Sequence, residues 1–190
     1  FEWPAAAPTG ETHETRGDAA SSPAFRWFIG AETNLAWNAL DHHVAHGRAG
    51  HAAIACFTER GDRCVLTYAQ LLHQVKRAAA ALRATGVRRG DRVTLYMPTG
   101  PEAIVLMLAI VRIGAIHSIV FAGFGARALA QRIEASGSSL VFTSDVTYRK
   151  GRDVALKPIV SEAIELLTRS DSPCPRVFTF ERKQSESWEA

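Results

Sequence analysis

The sequence predicts an α/β protein: a doubly wound, mostly parallel sheet with flanking helices, preceded by a β-hairpin and an irregular N-terminal leader. Three observations point there. From residue 92 onward, short apolar runs alternate with helix-length segments of helical periodicity, the pattern of right-handed βαβ units. The runs Val93-Thr94-Leu95-Tyr96 and 116–121 are largely apolar on both faces, as strands covered by helices on both sides require. The chain has 190 residues, of which 47% are hydrophobic and 22% charged, enough for one domain with a buried core.

The elements follow in order. Residues 1–24 are rich in Pro, Ala, Gly, Thr and Glu without periodicity and read as the leader; residues 25–190 read as one domain. A short helix is expected over 37–46, after Asn34. Apolar runs at 51–58 and 63–66 are joined by Glu59-Arg60-Gly61-Asp62, a turn composition that predicts a hairpin. Thr67 caps the next helix, and Gln70 three residues later completes a capping box. Leu71, Leu72, Val75, Ala78, Ala79 and Leu82 keep the 3.6-residue repeat, and Gly86 stands where a C-terminal glycine belongs. There follow a strand at 92–96, a helix at 101–113 opened by Pro101, a strand at 115–121 and a helix at 126–135. A strand at 140–143, a helix at 154–168 and a strand at 176–180 complete the domain.

Composition narrows the function. Twenty-two Lys and Arg against 19 Asp and Glu leave a net charge of +3, too small an excess to argue for nucleic acid. The longest apolar run, 103–111, is far short of the roughly 20 residues that span a bilayer, and no signal-peptide pattern opens the chain. Three cysteines without CxxC spacing argue against a disulfide scaffold or zinc ribbon. The expectation is a soluble, cytoplasmic protein with no membrane or nucleic-acid partner and no metal site.

Ligands of open α/β sheets bind beyond the carboxyl ends of the strands, where three loops fall. Met97-Pro98-Thr99-Gly100-Pro101 reads as a tight strand-to-helix turn. Phe121-Ala122-Gly123-Phe124-Gly125-Ala126-Arg127-Ala128 matches G-x-G-x-x-A between a strand and a helix, with Asp145 about 20 residues on. This is the dinucleotide fingerprint in nearly full context, so NAD binding and a structural glycine turn both stand. Tyr148-Arg149-Lys150-Gly151-Arg152, with Lys157 nearby, places two guanidiniums and an ammonium around a glycine at an expected helix entry. Such groups hold phosphate through charge-assisted, partly bidentate hydrogen bonds; a solvated basic loop is the alternative. Elsewhere, His42 and His46 have i,i+4 spacing but no evident third zinc ligand. Cys56 and Cys64 are potential neighbours across the hairpin, expected as buried thiols rather than a bridge. Arg-Gly-Asp at 16–18, 60–62 and 89–91 reads as turn composition, and no Ser–His nucleophile pattern is present.

The segments Trp27-Phe28-Ile29-Gly30, Asn34, Asn38, Asp41, Leu66-Thr67-Tyr68-Ala69-Gln70-Leu71 and Gly86-Val87-Arg88-Arg89-Gly90-Asp91-Arg92-Val93 are collinear with a known pattern. Tyr96-Met97-Pro98, Pro101-Glu102-Ala103, Arg112-Ile113-Gly114-Ala115-Ile116-His117-Ser118, Val120-Phe121-Ala122-Gly123-Phe124, Ala128-Leu129, Arg132-Ile133, Tyr148-Arg149-Lys150-Gly151-Arg152 and Leu156-Lys157 continue it. Over residues 27–165 the chain resembles the N-terminal part of the AMP-forming acyl-CoA synthetases, in their acetyl-/propionyl-CoA synthetase branch. Ala31 and Ala122 stand where that family usually has glycine, Gly125 where it has serine and His42 where it has arginine.

The resemblance implies a two-step reaction in which a short carboxylate and ATP give an acyl-adenylate and pyrophosphate, and coenzyme A then gives the thioester and AMP. It implies that Phe121, Ala122 and Gly123 lie along the CoA ribose and adenine, and that Arg149 and Arg152, with Lys150 and Gly151 between them, clamp the CoA 3′-phosphate. Under it the NAD reading recedes. The family's Ser/Thr/Gly-rich phosphate loop ending in lysine is absent from these residues, as are its catalytic groups. The expectation is therefore an N-terminal portion of the enzyme, truncated before the ATP phosphate loop and inactive alone. Its substrates are CoA and ATP, its Mg2+ belongs to the whole enzyme, and its partner is the remainder of its own chain. A stand-alone nucleotide-binding or interaction module and an NAD-dependent oxidoreductase domain are the alternatives.

Overall fold

The computed structural model describes residues 30–58, 61 and 63–182. The leader, Trp27-Phe28-Ile29, and Glu59, Arg60 and Asp62 of the expected turn lie outside the described residues, as does the first Arg-Gly-Asp.

The first described helical segment starts where Asn34 accepts the Trp37 N–H through its side-chain oxygen at 3.2 Å. It runs as two wide helical turns, Trp37–Asp41 and Val44–Arg48, broken at Gly47, whose φ is +79°. The expected helix at 37–46 is thus present but loosely wound. β1 (Ala52–Phe57) and β2 (Arg63–Thr67) form the expected antiparallel hairpin, with Cys56 directly opposite Cys64. At the start of α1 (Tyr68–Ala84) the Thr67 hydroxyl accepts the Gln70 N–H while the Gln70 side chain accepts the Thr67 N–H. This reciprocal pairing satisfies two donors that a helix start otherwise leaves open.

Beyond α1 come β3 (Arg92–Tyr96), α2 (Pro101–Arg112), β4 (Ile116–Ile119), α3 (Ala126–Ser136) and β5 (Leu140–Ser144). β3, β4 and β5 match the expected strands, although β4 is shorter at both ends than the apolar run that predicts it. Two strands were not expected. Val146–Arg149 (β6) and Arg152–Ala155 (β7) pair antiparallel around Lys150 and Gly151, whose φ values are +51° and +72°. Left-handed conformations at both central residues make the two-residue turn that follows the twist of a hairpin. Val154 therefore belongs to β7, and the expected helix at 154–168 begins only at Lys157, as α4 (Lys157–Arg169), with Pro158 in its first turn. The basic segment is the tip of a hairpin, not a helix entry. β8 (Arg176–Phe180) closes the order.

β4, β3, β5 and β8 lie side by side in that order, all parallel. Alternate residues of β3 and β5 face opposite layers. Val93, Leu95, Leu140 and Phe142 join Leu72, Val75, Leu106 and Ile110 under α1 and α2. Tyr96 and Val141 join Leu129, Ile133, Val160 and Leu167 under α3 and α4. Each fully buried aliphatic side chain contributes about 1.5–3 kcal/mol, so both layers hold the sheet. With strand order 4-3-5-8, the chain leaves β3 toward α2 on one face and β5 toward α4 on the other. The crevice where such an order reverses lies between β3 and β5, at their carboxyl ends.

Bridging the first layer, Asn34 donates through Nδ2 to the carbonyls of Val111 and Arg112 at the end of α2, each at 3.2 Å. Arg112 donates two hydrogen bonds to the Asp41 carboxylate, at 2.6 and 2.9 Å. Hydrogen bonding from Arg112 holds the Asp41 carboxyl below its ordinary 3.8, with burial acting in the opposite sense.

Candidate functional site

At the carboxyl end of β3 the Tyr96 ring is fully buried, and its hydroxyl donates to the carbonyl of Phe124 at 2.6 Å. That bond ties the loop after β4 to the centre of the sheet. The Phe124 N–H donates to the Phe121 carbonyl at 3.0 Å, and Leu129 N–H to the Gly125 carbonyl at 3.1 Å, so the loop is one tight turn running into α3. Ala122 faces inward and packs on the α3/α4 layer. Phe121 faces outward, with 60% of its surface exposed. Burial raises the Tyr96 phenol above its ordinary 10.0, so it stays a neutral donor.

The two expected site segments meet here. The Phe121 ring lies over Gly123 so closely that a methyl on Gly123 would overlap it, and Arg149 Nη1 lies 3.0 Å from the same position. The Arg149 guanidinium sits 5.7 Å from the Phe121 ring centroid, a cation–π distance. Phe121 and Phe124 meet edge to face at 5.9 Å, and Arg132 stands 5.0 Å over Phe124. Arg152 is the register partner of Arg149 across the β6–β7 pair, and Lys150 and Gly151 form the exposed tip between them. Phe121 and Arg149 thus crowd the space over Gly123, and Arg152 is paired with Arg149 in the backbone register.

Tyr96, Phe124 and Arg132 were not among the expected site residues. Tyr96 had a signal, a polar-tipped side chain at the end of an apolar strand; Arg132 had only its place in the collinear Arg132-Ile133 segment, being otherwise one charge on an amphipathic helix. Arg182 adds a further cation, 5.9 Å over the Tyr148 ring.

The other sequence candidates fall out differently. Asp145, the acid of the dinucleotide fingerprint, accepts the N–H groups of Val146 and Arg182 on Oδ1, both at 2.8 Å, and its carbonyl accepts the Leu156 N–H. It holds the β6–β7 hairpin and the end of β8 in place. Met97–Pro101 is a plain strand-to-helix connection, with Pro101 opening α2. The His42 and His46 rings lie 4.1 Å apart, with His46 Nδ1 engaged by the His42 carbonyl at 2.7 Å. Among the described residues no group of three or more His, Cys, Asp or Glu side chains is placed to hold a metal ion, and no helix is long and apolar enough to cross a membrane.

The aromatic loop and the guanidiniums beside it stand at the carboxyl edge of a doubly wound sheet, where open α/β domains take their ligands. The family model described as AMP-binding enzyme matches residues 41–189, and the chain belongs to that family. It is 46% identical over 161 residues to 3-hydroxypropionyl-coenzyme A synthetase of Sulfurisphaera tokodaii, a match covering 85% of this chain and 24% of the relative. It is 49% identical over 152 residues to acetyl-coenzyme A synthetase of Deinococcus radiodurans, covering 80% and 23% respectively. Among solved structures, acetoacetyl-CoA synthetase from Streptomyces lividans superposes with a TM-score of 0.74 at 31% identity, over 87% of this chain and 25% of that one. The resemblance read from the sequence is borne out, and the chain spans about a quarter of the length of these relatives.

Proposed function

We propose that this chain is part of an ATP-dependent, AMP-forming short-chain acyl-CoA synthetase and contributes part of its coenzyme A site. Acetate, propionate or a related short acid attacks the α-phosphorus of ATP through a carboxylate oxygen, releasing pyrophosphate. The CoA sulfur then attacks the acyl carbon of the adenylate and AMP leaves. The observation that carries the reading is the meeting of Arg149, Phe121 and Gly123 at the sheet edge, with Arg152 opposite Arg149. Coenzyme A has an adenine, a ribose and a 3′-phosphate in close succession. A side-chain-free Gly123 and the Phe121 face offer the ring and sugar a surface, while two guanidiniums match the phosphate in charge and fork geometry.

Adenylation demands donors around a triphosphate, and the sequence has no Ser/Thr/Gly-rich loop ending in lysine to supply them. The remainder of a longer, cytoplasmic chain is proposed to supply them, and the 190-residue chain by itself releases no pyrophosphate from ATP and acetate. Among the described residues no carboxylate cluster is placed to hold Mg2+.

The test is Arg149→Ala with Arg152→Ala in the complete enzyme. Each charge-assisted hydrogen bond is worth about 1.5–3 kcal/mol, and about 1.4 kcal/mol is tenfold, so losing one from each arginine raises KM for CoA at least about 100-fold and leaves KM for ATP nearly unchanged. An equal rise in both would overturn the assignment.

A further inference from the structure

The β1–β2 hairpin carries a pair of groups that thioester formation does not use. Cys56 and Cys64 are direct register partners, and both are half-buried free thiols. Directly opposed residues of an antiparallel pair project to the same face. Here it is the inner one: Cys64, with Ile54, packs against the cluster under α1 and α2. Opposed Cα atoms lie about 4.5–5.5 Å apart in such a ladder, within the roughly 4.4–6.8 Å that a disulfide spans. The Cα spacing of the pair is thus within a disulfide's reach.

We infer that Cys56 and Cys64 form a reversible intramolecular disulfide, which makes the hairpin a modification site for low-molecular-weight disulfides of the glutathione type. One cysteine thiolate attacks a sulfur of the oxidised glutathione and expels a first glutathione thiolate. The second cysteine thiolate attacks the protein-side sulfur of that mixed disulfide and expels another. Two protein thiols are oxidised, one disulfide is reduced to two thiols, and the two protein protons end on the departing glutathiones. The new bond closes the hairpin across its tip. Cys174 lies exposed beyond α4, with its sulfur 3.3 Å from the Thr168 hydroxyl. No cysteine stands opposite it, so it forms only a mixed disulfide.

The local field governs the rate. Burial, then the Cys64 thiol and the Glu102 carboxylate, push the Cys56 thiol above its ordinary 9.0. Little thiolate is present at neutral pH, and the fraction rises about tenfold per pH unit below the pKa. The exchange is therefore slow near neutrality and quickens in alkali.

The experiment treats the whole folded protein with oxidised glutathione, traps free thiols with an alkylating agent, and maps the peptides by mass spectrometry without reduction. Cys56 and Cys64 are expected to lose alkylation together and to appear as one cross-linked peptide lacking two hydrogens. Reduction reverses this, and Cys174 appears alkylated or glutathionylated. The rate of cross-link formation should rise about tenfold from pH 7 to pH 8. In Cys64→Ser the cross-link vanishes and Cys56 is found alkylated or glutathionylated. Persistence of separate alkylated or glutathionylated Cys56 and Cys64 in the wild type, while Cys174 reacts, would overturn the proposal. So would a Cys56 cross-link to any other cysteine. All three readouts are independent of CoA binding.

Discussion

The Tyr96 hydroxyl offers a measurable link between the centre of the sheet and the loop that carries Phe121. Tyr96→Phe removes one oxygen and leaves the buried ring in place, so no cavity opens. The bond lost is the 2.6 Å hydrogen bond to the Phe124 carbonyl. Phe124 is an exposed residue and the bond is only part-buried, so the expected outcome is that the freed carbonyl turns to water and is not stranded. The cost is then that of one net hydrogen bond, about 1 kcal/mol, or about 2–4 °C in Tm for a domain of this size. The dependence on pH is more diagnostic. Because burial raises the phenol above 10.0, its stabilising share is fully present below pH 10 and is lost as the pH rises past 10 toward the folded-state value. Urea unfolding at a series of pH values measures both. The wild type should lead by about 1 kcal/mol at pH 7, with an unchanged urea slope, and the lead should shrink or invert above pH 10. Parallel curves across that range, or a loss above about 3 kcal/mol at pH 7, would refute the reasoning.

Two further outcomes follow from the same geometry. Gly123→Ala places a methyl against the Phe121 ring and Arg149 Nη1. The exposed ring can swing aside, so stability should change by under about 1 kcal/mol while KM for CoA rises several-fold; denaturation and steady-state kinetics separate the two. Asp41→Asn breaks the bidentate pair with Arg112, whose side chains are 19% and 23% exposed. A cost of about 1–2 kcal/mol is expected, between surface and fully buried pairs. The depressed Asp41 carboxyl contributes its stability above pH 3.8 and loses it as pH falls through the folded value, so only the wild type should show that acid loss, read by denaturation between pH 6 and pH 2.

Periodicity and capping made most of the fold legible. Thr67 and Gln70 fixed the start of α1, and the bounds of β3 and β8 coincide with their apolar runs. The β6–β7 hairpin escaped because its strands have only four residues each, and Arg152-Asp153-Val154-Ala155 reads equally well as a helical first turn. Pro158, one residue into α4, was the available signal for a later start. The order 4-3-5-8 depends on which strands find each other in space, and no local pattern states it. At the site, the glycine turn and the two arginines were visible as separate motifs. Their contact through Phe121, and the anchoring of the loop by Tyr96, are tertiary facts. Asp145 shows the converse: a motif position in the right place whose Oδ1 is taken by two backbone N–H groups.

The sheet also divides the molecule's tasks between its faces. Tyr96, Ala122 and the start of α3, which set the position of Phe121 and Gly123, all rest on the α3/α4 layer. Cys64 of the hairpin and the α1–α2 pair belong to the opposite layer. Sequence drift on the α1/α2 side can therefore trade robustness against heat or oxidation while the ligand-facing geometry stays fixed. Drift on the α3/α4 side alters both at once. The sheet works as a partition wall, allowing one side to be tuned for endurance and the other for recognition.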